Sequence, residues 1–120
     1  MSVARRGMVD AFGIQTRLAQ PWRDQRAAVA NRENADRAAR HEEALRGAGV
    51  TYLGCLLDQS EALAQQSDEA APIIADAAPA ACGPEAEALG RLDWQMAEVL
   101  ARRGRPAMLT RIIAARGAPR

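Results

Sequence analysis

The two cysteines are the residues whose spacing most directly predicts a chemical bond. Cys55 and Cys82 are the only cysteines of the 120-residue chain, and the midpoint between them falls in the polar segment Ser67-Asp68-Glu69. A segment of this kind predicts a turn or a helix N-cap. In an antiparallel helical hairpin that folds there, residues at equal distances from the turn lie opposite each other. The two thiols are therefore predicted to meet on the apolar seam of the hairpin.

The same register predicts which apolar side chains face each other across the hairpin. It places Leu56 opposite Ala81, Leu63 opposite Ile74, and Ala64 opposite Ile73. A disulfide needs Cα atoms about 4.4–6.8 Å apart, and one that closes a loop of this length stabilises a chain by about 3 kcal/mol. The alternative is a pair of small, buried, reduced cysteines in a cytosolic protein.

No other residues complete a catalytic or metal-binding group in the sequence. His41 is the single histidine, and its neighbours Glu42 and Glu43 lack the second histidine of a zinc-protease motif. Two cysteines and one distant histidine do not form a tetrahedral zinc site. The serines lack a Gly-x-Ser-x-Gly setting, and no glycine-rich phosphate loop is present. We therefore predict no catalytic residue, no metal, no cofactor and no small-molecule substrate, and hence no enzyme.

Arginines near the C-terminus form the second group of residues that could carry a function. All 16 basic residues are arginine. Residues 91–120 carry seven arginines against two acids, whereas residues 51–90 contain seven acids and no arginine. The basic end is expected to lie against the acidic middle of its own chain or of a neighbour. In a nucleic-acid-binding protein, the same region would instead supply these phosphate contacts: Arg102, Arg103, Arg105, Arg111 and Arg116.

The segment from Arg102 to Pro106 contains an Arg-Gly-Arg-Pro core. This core resembles an AT-hook, in which an extended backbone lays arginines into the minor groove of DNA. The alternative is a junction between helices, in which Gly104 caps one helix and Pro106 opens the next. The two alternatives predict different backbones, extended in the first and helical on both sides of the junction in the second.

The elements that position these residues are predicted to be helices. Alanine accounts for 28 residues, and Leu, Ile, Val and Phe together for 21. Because alanine favours helix and buries little surface, this composition predicts an all-α fold with a thin core. Gly47 and Gly49 either break the first long helix or only bend it. The apolar spacing predicts helices over 8–19, 22–46, 51–66, 72–82 with a bend at Pro79, 84–103 and 106–116.

We expect a single helical domain over 1–120. Its parts are an N-terminal helical arm (1–49) and a small helical bundle (50–117) built on the antiparallel hairpin 51–82. The arm contains a long, polar, alanine-rich helix whose apolar line is too weak to form a core alone. That helix is expected to pack on a partner, as in a coiled coil. The predicted partner interface consists of Trp22, Ala28, Ala35, Ala38 and Leu45.

The region from Tyr52 to Cys82, with its alanine-rich ending IADAAPAAC, resembles short, uncharacterised helical proteins of GC-rich proteobacteria. Those proteins are often exported and carry a signal peptide. Arg5 and Arg6 are not followed by an apolar region of that kind. The glycine-broken N-terminal helix and the polar helix after it resemble internal virion proteins of short-tailed phages. These resemblances imply a periplasmic location if the cysteines are oxidised, and a cytoplasmic or virion-associated one if no signal was trimmed.

The sequence therefore predicts a non-catalytic helical structural or interaction protein that oligomerises or docks into a larger assembly, such as a phage or virion-like particle. Its expected partner is a protein, either a second copy or another component. The alternatives are a nucleic-acid-binding protein that uses the arginine-rich C-terminal third, and a small disulfide-stapled periplasmic protein. No stretch of the sequence is long and apolar enough to predict a membrane span.

Overall fold

The computed structural model describes the backbone of residues 2–117 and the side chains of residues 21–117. Over this range the chain is helical and contains no strand, which confirms the all-α prediction. The apolar face predicted for residues 8–19, with Met8, Phe12 and Leu18, lies outside the described side chains. The elements are α1 (Ser2–Gln66), α2 (Ala71–Ala77), a 3-10 turn (Ala78–Cys82), α3 (Gly83–Leu92) and α4 (Met96–Gly117).

The chain divides into two compact units, residues 1–40 and residues 41–120. In the first unit, every residue from Pro21 to Arg40 is exposed to solvent. In the second unit, Leu45 and Ala48 already pack against the core. The first unit is therefore shorter than the predicted arm of residues 1–49, because packing in the second unit begins before residue 50.

Helix α1 passes through the residues that were expected to interrupt it. Gly47 and Gly49 are helical, so of the two alternatives at these glycines the structure has the unbroken helix. Gly49 is buried, and a Cβ added to it would lie 3.2 Å from Leu100 Cδ1. Close packing against α4 thus compensates for the low helix propensity of glycine. Pro21, predicted to end one helix or begin the next, also lies inside α1, because helix-forming Gln, Arg and Ala residues flank it on both sides.

The predicted helix 84–103 is wrong, because the chain leaves the helical conformation at Asp93. This residue has φ −154° and ψ 107°. Its carboxylate accepts a hydrogen bond from the Gln95 backbone N–H at 3.1 Å, an arrangement that starts the next helix. Trp94, in the connection between α3 and α4, is 80% exposed.

The predicted junction at Gly104 and Pro106 is also wrong, since both residues lie inside α4. Met108 and Ile112, beyond the proline, are fully buried, and Leu100, before it, packs against the same core. Packing on both sides holds the helix together and outweighs the backbone hydrogen bond that proline removes. A Cβ on Gly104 would lie 3.0 Å from Leu53 Cδ2, so the glycine lets α1 and α4 approach closely.

All the elements of the second unit contribute to one hydrophobic core. Its buried residues are Tyr52, Leu56, Ala64, Ile74, Ala75, Ala78, Cys82, Leu89, Met108 and Ile112. The expected pairing of Ala64 with Ile73 is wrong, because Ile73 is 53% exposed. Consecutive residues on a helix point in directions about 100° apart, so only one of the two isoleucines can face the core, and that residue is Ile74. Pro79 lies in the 3-10 turn, where the bend was predicted.

We predict that alanine substitutions at two helical glycines will have different effects. An added Cβ at Gly54 meets nothing within 4 Å, so Gly54→Ala should raise the free energy of unfolding by about 0.5–1 kcal/mol. Gly104→Ala should give a smaller gain, because Leu53 must move away from the new methyl group. Urea unfolding followed by circular dichroism measures both changes. Equal gains would contradict the close packing of α4 on α1.

Candidate interaction surface and cysteine cross-link

The structure joins Cys55 of α1 to Cys82 at the end of the 3-10 turn by a disulfide bond. The two Cα atoms lie 6.0 Å apart, within the range that the bond requires. Cys82 is completely buried and belongs to the core, whereas Cys55 is half-buried. The bond therefore joins a partly exposed position on α1 to the buried interior. It closes the loop that contains the Ser67 turn. At that turn, the Glu69 backbone N–H donates to the Ser67 hydroxyl at 3.1 Å.

A carboxylate lies beside the disulfide, and sequence reasoning did not connect this carboxylate with the cysteines. Glu85 lies in the first turn of α3. One of its carboxylate oxygens and the two cysteine sulfurs all lie within 4.8 Å of one another. Its Oε2 atom is buried and has no hydrogen-bond partner. The sequence signal that could have placed Glu85 near the disulfide was the spacing Cys82-x-x-Glu85, because residues three apart share one side of a helix.

Two other polar side chains are buried among the described residues. Ser60 is completely buried, and its hydroxyl has no hydrogen-bond partner. Tyr52 is 3% exposed, and burial raises the pKa of its hydroxyl group because desolvation disfavours the phenolate. His41 is exposed. These groups lie at separate places on the helices and do not resemble a nucleophile with its base.

Three of the five arginines predicted as phosphate contacts bind groups of other elements within the chain. Arg111 donates to the Glu61 carboxylate at 2.9 Å, in a partly buried ion pair. Arg105 pairs with the Asp76 carboxylate. Arg116 donates to the backbone carbonyl of Ser67 at 2.9 Å. The basic end thus lies against the acidic middle of its own chain, one of the two arrangements expected from the segregated charge.

The remaining two arginines of that set lie on exposed faces of α4. Arg102 pairs with Glu98, one turn earlier, at 3.0 Å. Arg103 borders an apolar groove between α1 and α4. The Arg-Gly-Arg-Pro segment is helical throughout, so it does not have the extended backbone of an AT-hook, because the packing of α4 on the core imposes helix there.

The α1/α4 groove is lined almost entirely by aliphatic side chains. It consists of two adjoining depressions of about 210 and 300 Å³, which share Leu53 and Leu100. Arg46 and Arg103 are the charged residues at its edges. The groove offers none of the convergent polar groups that orient a small substrate.

The predicted partner interface divides into separate parts in the structure. Leu45 is half-buried against the core of the second unit. Trp22 is 57% exposed, and the Arg26 guanidinium lies 3.7 Å from the centroid of its ring. Val29 is 47% exposed and lies seven residues after Trp22, on the same side of α1. Sequence reasoning missed Val29, although this spacing signals a shared face.

The three alanines of the predicted interface lie on the other side of α1. At about 100° per residue, Ala28, Ala35 and Ala38 point roughly 120–160° away from Trp22, and all three are exposed. The predicted interface residues of this segment therefore lie on two sides of the helix. The segment 21–40 presents a Trp22/Val29 face and a separate alanine face.

We predict that the disulfide contributes about 3 kcal/mol to the free energy of unfolding, because it restricts the unfolded chain. Adding a phosphine reductant to the wild-type protein should lower the urea midpoint by the corresponding amount. The variant with both Cys55→Ala and Cys82→Ala should be less stable and should not respond to the reductant. An unchanged wild-type midpoint in reductant would show that the bond does not constrain the chain.

Among the described residues, no helix combines the length and apolar character needed to cross a bilayer. No protein-family model matches the sequence, and neither curated proteins nor solved structures give a match.

Proposed function

We propose that this chain is a non-catalytic helical interaction protein whose segment 21–40 associates with another helix. That helix belongs to a second copy of the chain or to a component of a larger assembly, such as a phage or virion-like particle. The observation that carries the proposal is the exposure of every side chain from Pro21 to Arg40. Isolated helices gain little stability in water and depend on packing of an apolar face.

The Trp22/Val29 face is the better of the two binding faces. Trp22 and Val29 follow the seven-residue spacing of a helix that packs along another helix. A large aromatic side chain supplies much of the binding energy at such contacts. Arg26 stacks on the Trp22 ring and Glu33 lies one turn beyond Val29, so charged groups border the apolar contact and can pair with a neighbouring helix.

The alanine face supports a second contact. Small side chains allow helix backbones to come close together, so the side with Ala28, Ala35 and Ala38 can accept a neighbour with little steric hindrance. A segment with two usable faces can join more than one neighbour, which favours an assembly over a simple pair. In this proposal the compact unit that follows is a small helical bundle, built on the hairpin 51–82, that the segment joins to its neighbours.

We expect the wild-type protein to form an oligomer at low micromolar concentration, as measured by size-exclusion chromatography with light scattering. Trp22→Ala should shift it to the mass of a single chain, because it removes the aromatic anchor of the Trp22/Val29 face. Trp94→Ala is the matched control. It removes the same kind of exposed side chain from the connection between α3 and α4 and should leave the mass unchanged.

Two results would contradict self-association through this face. One is a wild-type protein that is a stable, cooperatively folding monomer throughout the concentration range. The other is an equal loss of mass in the two tryptophan variants, which would indicate nonspecific association through exposed aromatic groups.

A second candidate is a disulfide-stapled protein of an oxidising compartment such as the periplasm, which the Cys55–Cys82 bond favours. We expect protein taken directly from its source compartment, denatured in the presence of an alkylating agent, to show no free thiol. Two alkylated cysteines per chain would contradict an oxidising location. This test is independent of the first, because self-association through residues 21–40 does not require the disulfide.

A further inference from the structure

Beside the two sulfurs of the disulfide lies a third side chain of a metal-binding type, the carboxylate of Glu85. Cys55, Cys82 and Glu85 each offer one ligand atom, and these atoms all lie within 4.8 Å of one another. They come from three elements that the core holds together: Cys55 from α1, Cys82 from the end of the 3-10 turn, and Glu85 from the first turn of α3. The group is thus positioned by tertiary packing as well as by the disulfide.

The Glu85 carboxylate is incompletely satisfied in the disulfide form. Its Oε2 atom is buried without a hydrogen-bond partner, and a disulfide has no hydrogen to donate. A buried carboxylate oxygen without a partner is costly unless a proton or a cation accompanies it. The structure therefore places an anionic ligand with spare binding capacity beside two sulfur atoms.

We propose that, when the disulfide is reduced, Cys55, Cys82 and Glu85 together bind one zinc-class divalent metal ion, with a water molecule as the fourth ligand. The ion and the disulfide are mutually exclusive, because both use the same two sulfurs. The site replaces one cross-link between α1 and α3 by another.

The reaction balances with a dithiol as the reductant. The dithiol supplies two electrons and two protons and becomes a disulfide, while the bond between the two protein sulfurs breaks to give two thiols. Metal binding then releases both thiol protons to solvent, since the thiolate is the form that binds a metal. Two thiolates and one carboxylate leave the occupied site with a single negative charge, which the N-terminal end of α3 at Cys82 offsets.

The distances that a tetrahedral ion requires are within reach. Zn–S bonds of about 2.3 Å and Zn–O bonds of about 2.0 Å place two sulfurs about 3.8 Å apart and a sulfur and an oxygen about 3.5 Å apart. The three ligand atoms already lie within 4.8 Å of one another, so side-chain rotations suffice. Cys55 and Glu85 are only half-buried, which gives the ion and its water a route from solvent.

The test uses Co²⁺, whose visible absorption reports tetrahedral coordination by thiolates. The full-length protein is reduced anaerobically with a phosphine and titrated with Co²⁺, and Zn²⁺ is then added to displace it. We expect saturable absorption at one ion per chain in the reduced protein and none in the oxidised protein. Glu85→Gln should weaken Co²⁺ binding by about tenfold or more, as expected when a ligand is lost.

Glu87→Gln is the matched control, because Glu87 is an exposed glutamate two residues away that pairs with Arg91. It should bind Co²⁺ as the wild-type protein does, and circular dichroism should show that both variants keep their helices. Absence of thiolate–Co²⁺ absorption in the reduced wild-type protein would overturn the proposal. Equal Co²⁺ affinity of Glu85→Gln and Glu87→Gln would also overturn it, because Glu85 would then not be a ligand.

Discussion

The covalent bond between Cys55 and Cys82 is the interaction on which the second unit most depends. It connects a half-buried position on α1 to a completely buried position in the core. The core has few large side chains, and several of its members are alanines. Because alanine buries little apolar area, hydrophobic packing alone provides a small stabilisation for a unit of this size. A cross-link that limits the unfolded chain therefore accounts for a large share of the net stability.

Electrostatic contacts orient α4 on this stapled core. Arg105, Arg111 and Arg116 lie about one and a half turns apart along the helix, and each reaches a different part of the acidic middle of the chain: α2, the end of α1 and the turn between them. Exposed ion pairs contribute little individually, but three contacts spaced along one helix restrict its rotation and sliding. The same contacts use basic groups that would otherwise be available to phosphates.

The first unit obeys a different constraint. From Pro21 to Arg40 no described side chain is buried, so helix propensity acts there without a core. Trp22 and Val29 lie on one side of this segment and the three alanines on another. In the proposed assembly these faces are covered by neighbours, which would supply the packing that the segment lacks by itself.

Composition and spacing were sufficient to predict the helical class, the turn near Ser67, the bend at Pro79 and the proximity of the two cysteines. These features depend on local propensity and on the placement of the two cysteines at equal distances from the turn, both of which are present in the linear order of residues. The interruptions of the helices could not be predicted in this way. Gly49, Gly104 and Pro106 are helical because packing against neighbouring helices outweighs their local preferences, and only the tertiary structure determines that packing.

Tertiary structure likewise decided which side of a helix faces the core. Ile74 is buried and Ile73 is exposed, although the two isoleucines are equally apolar, because the seating of α2 on the core selects one of them. Glu85 lies beside the disulfide because α3 begins directly after the cysteine that is bonded to α1. The sequence by itself determined that this protein is helical and that its cysteines can meet. Tertiary packing decided where each helix ends, which arginines are paired and which carboxylate accompanies the sulfurs, because these depend on contacts between residues distant in the chain.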